Sequence, residues 1–400
     1  MEKSIFSLYK KDTFFTNTMR ILIAQGGGPT SVINQSLIGA VLEAKKHGLE
    51  VLGARHGIKG IVKEDFLNLS DIDDEKLNRI AETPASALGS TRDKPNDEYC
   101  TNILNIFKKH DIRGFFYIGG NDSSDTIRIV LDFAKKANYD MKGFHIPKTV
   151  DNDLMENDHT PGFPSAARFV AKAVMGIERD NAALPGIHLC IIMGRHAGFL
   201  TAAAALGGAH RVYIPEHPFD LDEFAQEVKQ TFEKHGRAVI GISEGVQDKD
   251  GNPIITHFVQ EKEVDAHGNV QLSSLPLGDI LTDYLKKKMG ASRVRSDTFG
   301  YTQRSYPDAS PIDSQESRAV GQAAIEHFLK GERSSGSITI NRASNEPYSA
   351  IIGISDLENI AGKTRHMPPE FFDPQTKTIT PAGISYLTPL VGDLPIIEKF

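Results

Sequence analysis

The stretch Arg20-Ile-Leu-Ile-Ala-Gln-Gly-Gly-Gly28, continuing as Pro29-Thr-Ser-Val-Ile-Asn-Gln-Ser-Leu-Ile-Gly-Ala-Val-Leu42, sets the fold class. Arg20–Ala24 reads as a buried strand, and the three glycines after it read as a turn. Beyond them Val32, Ile33, Leu37, Ile38, Val41 and Leu42 fall at helical spacing. The same unit recurs downstream. Gly114-Phe-Phe-Tyr-Ile118 leads into Gly119-Gly-Asn-Asp122 and a helix carrying Ile127, Val130, Leu131 and Ala134. His188-Leu-Cys-Ile-Ile192 leads into Met193-Gly-Arg195 and an alanine-rich stretch over Thr201–Leu206. Ala238-Val-Ile-Gly-Ile242 ends at Ser243-Glu-Gly245 in the same way. Strands alternating with helices predict an α/β protein with a parallel sheet covered on both faces.

In such sheets ligands bind beyond the carboxyl ends of the strands. Asp122, Arg195 and Glu244 each stand just after an apolar strand-like run, which is where a site is expected. The polar stretch from Gln247 to Leu275, with its Asp248-Lys-Asp-Gly-Asn252 and Ala266-His-Gly-Asn269 turns, reads as a hairpin or insertion. There is no internal repeat at solenoid period and no low-complexity tract.

A chain of 400 residues suggests two domains. Hydrophobic and charged fractions of 40% and 24% are those of an ordinary soluble protein. The formal net charge of -7 argues against nucleic acid as a partner, while leaving room for basic residues converging in one cleft. Cys100 and Cys190 form neither a metal-spaced pair nor a disulfide framework, which fits a reducing cytoplasm. No apolar run approaches the roughly 20 residues of a membrane span, so no membrane role is expected. Residues 1–18 lack an apolar signal-peptide region and read as an N-terminal extension.

The residues that carry chemistry are polar clusters at these strand ends. Gly26, Gly27 and Gly28 suit a phosphate-cradling turn, because backbone N–H groups can approach an anion and a helix follows. The pattern is neither GxGxxG nor a P-loop, and many such turns only reverse the chain. Asn121 and Asp122 offer hard oxygen donors suited to Mg²⁺, or a cap for the next helix. In Pro147-Lys-Thr-Val-Asp-Asn-Asp153, one of Asp151 and Asp153 could act as general base and the other bind metal. Lys148 could neutralise charge on a transferring phosphoryl group. A solvated polar loop is the plainer account of the same spacing. Arg195, Arg295 and Arg304 have the planar fork that suits phosphate oxygens, although any one of them alone reads more readily as a surface ion pair. Fourteen histidines show no zinc spacing, and no Gly-x-Ser-x-Gly elbow is present.

Taken together and in order, Gly89-Ser-Thr-Arg92, Gly119-Gly-Asn-Asp122, Pro147-Lys-Thr-Val-Asp-Asn-Asp153, Met193-Gly-Arg195, Glu244 and Gly300-Tyr-Thr-Gln-Arg304 resemble the phosphofructokinase family. The resemblance runs from about Met19 to beyond Arg304 and is nearest to the pyrophosphate-dependent branch with a Gly-Gly-Gly-Pro-Thr opening. It implies two Rossmann-like three-layer α/β/α domains with a cleft between them. The expected division places 19–160 with 306–400 as a pyrophosphate- and Mg-binding domain, and 161–305 as a fructose 6-phosphate-binding domain. ATP-using members carry glycine at the positions of Asp122 and Lys148. A carboxylate at Asp122 would occupy and repel the nucleotide α-phosphate, and Lys148 would supply charge beside the transferred group.

The same resemblance makes Asp151 the base acting on the sugar 1-hydroxyl, with Thr149 and Val150 beside it. Asn121 and Asp153 would lie at the Mg²⁺, Arg92 would reach the pyrophosphate, and Gly26, Gly27 and Gly28 would cradle it. Met193, Gly194, Arg195, Glu244, Arg295, Tyr301 and Arg304 would hold the sugar phosphate. The products are then fructose 1,6-bisphosphate and phosphate, and the assembly a homodimer or homotetramer. Three departures stand out. Asn121 replaces a metal-binding Asp, Tyr301 replaces a histidine, and Asn181–His188 lacks an arginine that bacterial ATP enzymes send across a subunit interface. An ATP-dependent enzyme of the same fold, use of sedoheptulose 7-phosphate, a dinucleotide-dependent oxidoreductase (discouraged by the absent GxGxxG), and a non-catalytic regulatory subunit are the alternatives. The intact Lys148, Asp151 and Asp153 argue against the last.

Overall fold

The computed structural model describes residues 19–258, 277–290 and 293–398. The expected extension at 1–18, and the part of the expected insertion from residue 259 to 275, lie outside these residues. The strands form two main sheets. In the larger, β1 (Arg20–Gln25) is flanked by β2 (Glu50–Ala54) and then β3 (Phe66–Asn68). On its other side come β4 (Ile112–Gly119), β5 (Lys142–Pro147), β10 (Ser335–Asn345) and β11 (Tyr348–Ser355). The smaller sheet has the order β7 (Arg211–Tyr213), β8 (Ala238–Ser243), β6 (Ile187–Ile192), β9 (Val294–Thr298), and all its pairs are parallel. A two-stranded ribbon, β12 (Phe372–Asp373) with β13 (Thr378–Ile379), completes the set.

The helices are α1 (Ile33–Lys46), α2 (Ile58–Val62), α3 (Asp74–Ala81), α4 (Asp97–Lys109), α5 (Asn121–Lys136) and α6 (Phe163–Ala183). They continue with α7 (Phe199–Ala202), α8 (Leu221–His235), α9 (Leu277–Met289), α10 (Pro311–Lys330) and α11 (Pro381–Val391). None of them is long and apolar enough to cross a membrane.

Strand side chains alternate between faces, and here both faces are apolar because helices cover both. Ile21 and Ile23 bury with Phe116, Leu37 of α1 and Val320 of α10, while Leu22 and Ala24 bury with Phe115, Phe107 of α4 and Ile127 of α5. The larger sheet is not wholly parallel. Its edges β3 and β11 run antiparallel to β2 and β10. The turn between Asn345 and Tyr348 is too short for a crossover, so β10 and β11 must form a hairpin.

The alanine-rich stretch expected as a helix is the four-residue α7 followed by a 3₁₀ turn over Ala203–Gly207. Its small side chains let it lie directly on α6, where a Cβ on Gly207 would come within 2.4 Å of the Ala171 carbonyl oxygen. The chain crosses between the sheets after β5 and returns through residues 299–310 into α10. β10 and β11 join the larger sheet, whereas Phe372, Ile379, Leu387 and Leu390 bury with Val170 and Val174 of α6. The C-terminal region therefore contributes to both halves of the molecule.

Candidate active site

The carboxyl ends of β1, β4 and β5 face those of β6 and β8 across a cleft of about 300 Å³. From the larger sheet it is lined by Gly27, Gly28, Gly120–Ser123 and Lys148–Asp151, with Arg92 and Asp153 alongside. From the smaller sheet come Met193, Arg195, His196 and Glu244, joined by Tyr301 and Arg304 from the return segment. Nearly all the residues singled out in the sequence thus meet in one place.

Each arrives by a local device. Gly26 N–H donates to Ile118 O at 2.8 Å and Gly27 N–H to Thr91 O at 3.0 Å. Those two amides hold the turn itself, contrary to the expectation that they cradle phosphate. What the glycines supply is room: a Cβ on Gly27 would lie 3.2 Å from Lys148 Nζ, and one on Gly28 3.0 Å from the Arg304 guanidinium carbon. The helix start at this end of the cleft is that of α5, since α1 begins only at Ile33, five residues past the glycines. Gly120 is the N-cap of α5 and offers no side chain, so Asn121 and Asp122 form its first turn and are not caps. An acidic first turn suits the positive end of the helix. Asp122 also pairs with Lys94 at 3.1 Å.

Lys148 follows β5 directly, and its N–H donates to Gly119 O at 2.9 Å, which ties β5 to the β4 turn. The fully buried His145 holds the same carbonyl at 2.8 Å through Nε2. The Lys148 side chain is 3% exposed. Burial pushes its ammonium down to about 7, Arg304 and Arg92 push the same way, and Asp151 partly opposes them. Asp153 is pushed up to about 7 by burial and then by the Asp151 carboxylate. Glu244 rises to about 7 for the same two reasons, although Arg195 and Arg304 pull against it. Burial also lowers Arg304, whose guanidinium stacks 4.3 Å over the Tyr301 ring.

Thr30 Oγ1, Asn121 Oδ1 and Asp151 Oδ1 are buried in this cleft without a hydrogen-bond partner. Buried polar atoms are almost always satisfied in proteins, so three orphans facing one cavity mark it as built for a polar ligand. Among the described residues no cluster of three or more His, Cys, Asp or Glu side chains could hold a metal by itself. Mg²⁺ needs less, since it keeps several waters and takes few protein oxygens. Asn121 Oδ1 and the half-buried Asp153 carboxylate fit that demand.

The family model for phosphofructokinase matches residues 20–328. The chain belongs to the phosphofructokinase family. It is 51% identical over 383 residues to the pyrophosphate--fructose 6-phosphate 1-phosphotransferase of Rhodospirillum rubrum, covering 93% of this chain and 94% of that protein. A protein of the same name from Xanthomonas campestris is 35% identical, covering 94% and 92%. Among solved structures, the pyrophosphate-dependent phosphofructokinase of Nitrosospira multiformis superposes with a TM-score of 0.83 at 31% identity, covering 95% of this chain and 94% of that one. The corresponding Marinobacter aquaeolei structure gives 0.82 at 30%, with the same coverage.

Three expected phosphofructokinase site residues, Gly26, Gly194 and Arg295, lie apart from the cleft lining. Arg295 sits exposed on the edge strand β9 and faces Asp180 at 3.6 Å. Gly194, at φ 145°, lets the chain turn so that Arg195 enters the cleft, and its carbonyl accepts from Ser243 Oγ. Conversely, His196, Tyr117 and Thr364 line the cleft and were not anticipated. His196 directly follows Met193-Gly-Arg195 and was one residue from being included. Thr364 follows no strand and carried no signal.

The raised carboxyls have a measurable consequence. The native state holds protons on Glu244 and Asp153 that the unfolded chain releases in the ordinary carboxylate range. Their stabilising contribution is full below that range and lost as pH rises through about 7. Thermal denaturation of ligand-free protein should therefore show Tm falling between those limits. Glu244→Gln should flatten the fall and stabilise the protein at pH 7.5 by on the order of 2–3 kcal/mol. An unchanged slope in that variant contradicts the assignment.

Proposed function

We propose that this phosphofructokinase transfers a phosphoryl group reversibly from pyrophosphate to the 1-hydroxyl of fructose 6-phosphate, giving fructose 1,6-bisphosphate and phosphate. The observation that carries the reading is the convergence of Asp122, Lys148 and Asp151 in one cleft. The names of the relatives support it.

The residues divide the work as follows. Asp151, whose Oδ1 has no internal partner, takes the proton of the 1-hydroxyl as that oxygen attacks the distal phosphorus. The bond from phosphorus to the bridging oxygen breaks, and phosphate leaves. Lys148 and Arg92 meet the oxygens of the donor, and an anion beside Lys148 would restore the proton that burial disfavours. Asn121 and Asp153 would hold Mg²⁺, which supplies charge neutralisation on the donor oxygens. Arg195, Arg304 and Tyr301 receive the 6-phosphate, Glu244 a sugar hydroxyl, and Met193, Thr149 and Val150 the sugar body. Catalysis by this set is mainly positioning and electrostatics. Because the pyrophosphate bond is spent without the larger driving force of ATP, the reaction should run both ways. Supplying phosphate and fructose 1,6-bisphosphate should yield pyrophosphate, and a strictly one-way enzyme would count against this reading.

Asp122 sets the donor. Asp122→Gly should lower kcat/KM for pyrophosphate by about tenfold and admit measurable turnover with ATP, because the repulsive charge at the α-phosphate position is gone. If neither donor responds, Asp122 serves only as the partner of Lys94.

A further inference from the structure

Asn152, between the two carboxylates of the catalytic loop, has φ 60°. Asparagine tolerates this left-handed conformation better than most side chains, but such a backbone persists only when its surroundings fix it. The two backbone oxygens that follow Asp151 are both met by one residue. The Arg365 main-chain N–H donates to Asp153 O at 2.8 Å, and its guanidinium Nη1 donates to Asn152 O at 3.4 Å and to Asp158 O at 2.7 Å. Tyr386 completes the hold: Asn152 Nδ2 donates to its hydroxyl at 2.8 Å, and that hydroxyl donates to Asp158 O at 2.6 Å. The Arg365 guanidinium is itself fixed over the Phe199 ring at 4.6 Å. Its neighbour Thr364 lines the cleft. Both clamping residues lie beyond residue 328, where the family match ends.

We propose that Arg365 is a positioning residue for the reaction described above: by clamping the Asn152–Asp153 backbone it fixes where the Asp151 and Asp153 carboxylates point. The inference rests on that reading for its catalytic part only. Without the guanidinium, Asn152 O and Asp158 O lose that donor, and of the Arg365 contacts only the main-chain bond to Asp153 O remains, so the left-handed turn is held at one end and the carboxylates can move with it. A displacement of about 1 Å at reacting groups costs on the order of 100-fold in rate. Substrate-phosphate contacts come from Arg195 and Arg304, which the clamp does not touch, so binding should survive.

The test compares Arg365→Ala and Arg365→Lys with the full-length wild-type protein, using pyrophosphate, Mg²⁺ and fructose 6-phosphate. Arg365→Ala should lower kcat by about 100-fold, with KM for fructose 6-phosphate within about threefold, and Arg365→Lys should recover about tenfold of the loss. Hydrogen exchange of peptides spanning 148–160 should accelerate in Arg365→Ala. Unchanged kcat in a folded variant overturns the proposal, as do kcat and KM worsening together in step with lost thermal stability. If the alanine variant does not fold, the lysine variant decides: lowered kcat at constant KM supports the clamp, and wild-type kcat overturns it. Wild-type inactivity with pyrophosphate would remove the reaction but not the clamp, which the exchange rates read separately.

Discussion

Asp151→Ala is expected to lower kcat by about 10²–10⁴-fold while leaving KM for fructose 6-phosphate within about threefold. The loss should be confined to turnover because Asp151 is asked to act on one proton, whereas the arginines proposed to hold the sugar phosphate, Arg195 and Arg304, are separate side chains of the cleft. Asp151→Asn is the sharper variant, since it keeps the shape of the side chain and removes only its basicity. Asp151 also raises both Glu244 and Asp153, so removing its charge should bring those two carboxyls back toward their usual range. Steady-state kinetics in either direction measure the effect. Near-normal turnover in a folded Asp151→Asn protein would refute the base assignment.

Lys148→Ala should be nearly as severe, lowering kcat with pyrophosphate by about 10²–10³-fold, the range found for removing one preorganised charge stabiliser. Lys148 is buried, its ammonium lies close beside Gly27, and it feels the charge of Asp151. In the free protein it is half-charged near neutral pH, so kcat/KM for pyrophosphate should fall as pH rises through about 7. That fall should be absent in the alanine variant. A lysine that merely supports the fold would instead lower stability and leave the pH profile in place. Comparing pH–rate profiles of the two proteins separates these cases.

Much of this site was legible because its residues come directly after apolar runs. Asp122, Lys148, Arg195 and Glu244 follow β4, β5, β6 and β8 within a few positions, and parallel sheets bring such positions to one edge. The runs themselves were plain, since Ile21, Leu22, Ile23 and their counterparts must be apolar on both faces. Arg295 shows the limit of that logic. It lies within β9, not after it, and on an edge strand alternate side chains turn to solvent. The glycine turn was read correctly as a turn, but which amides it consumes internally depends on Ile118 and Thr91, distant in sequence. Arg365 and Thr364 were invisible for a related reason. They act through backbone contacts with Asn152 and Asp153 made from an irregular segment, and no periodicity marks such a segment.

Donor choice is read from initial rates of fructose 1,6-bisphosphate formation with Mg²⁺ and fructose 6-phosphate, comparing pyrophosphate with ATP. Strong turnover with pyrophosphate and little or none with ATP is the expected result. Turnover with ATP and none with pyrophosphate would leave the fold and the base in place but contradict the roles given to Asp122 and Lys148.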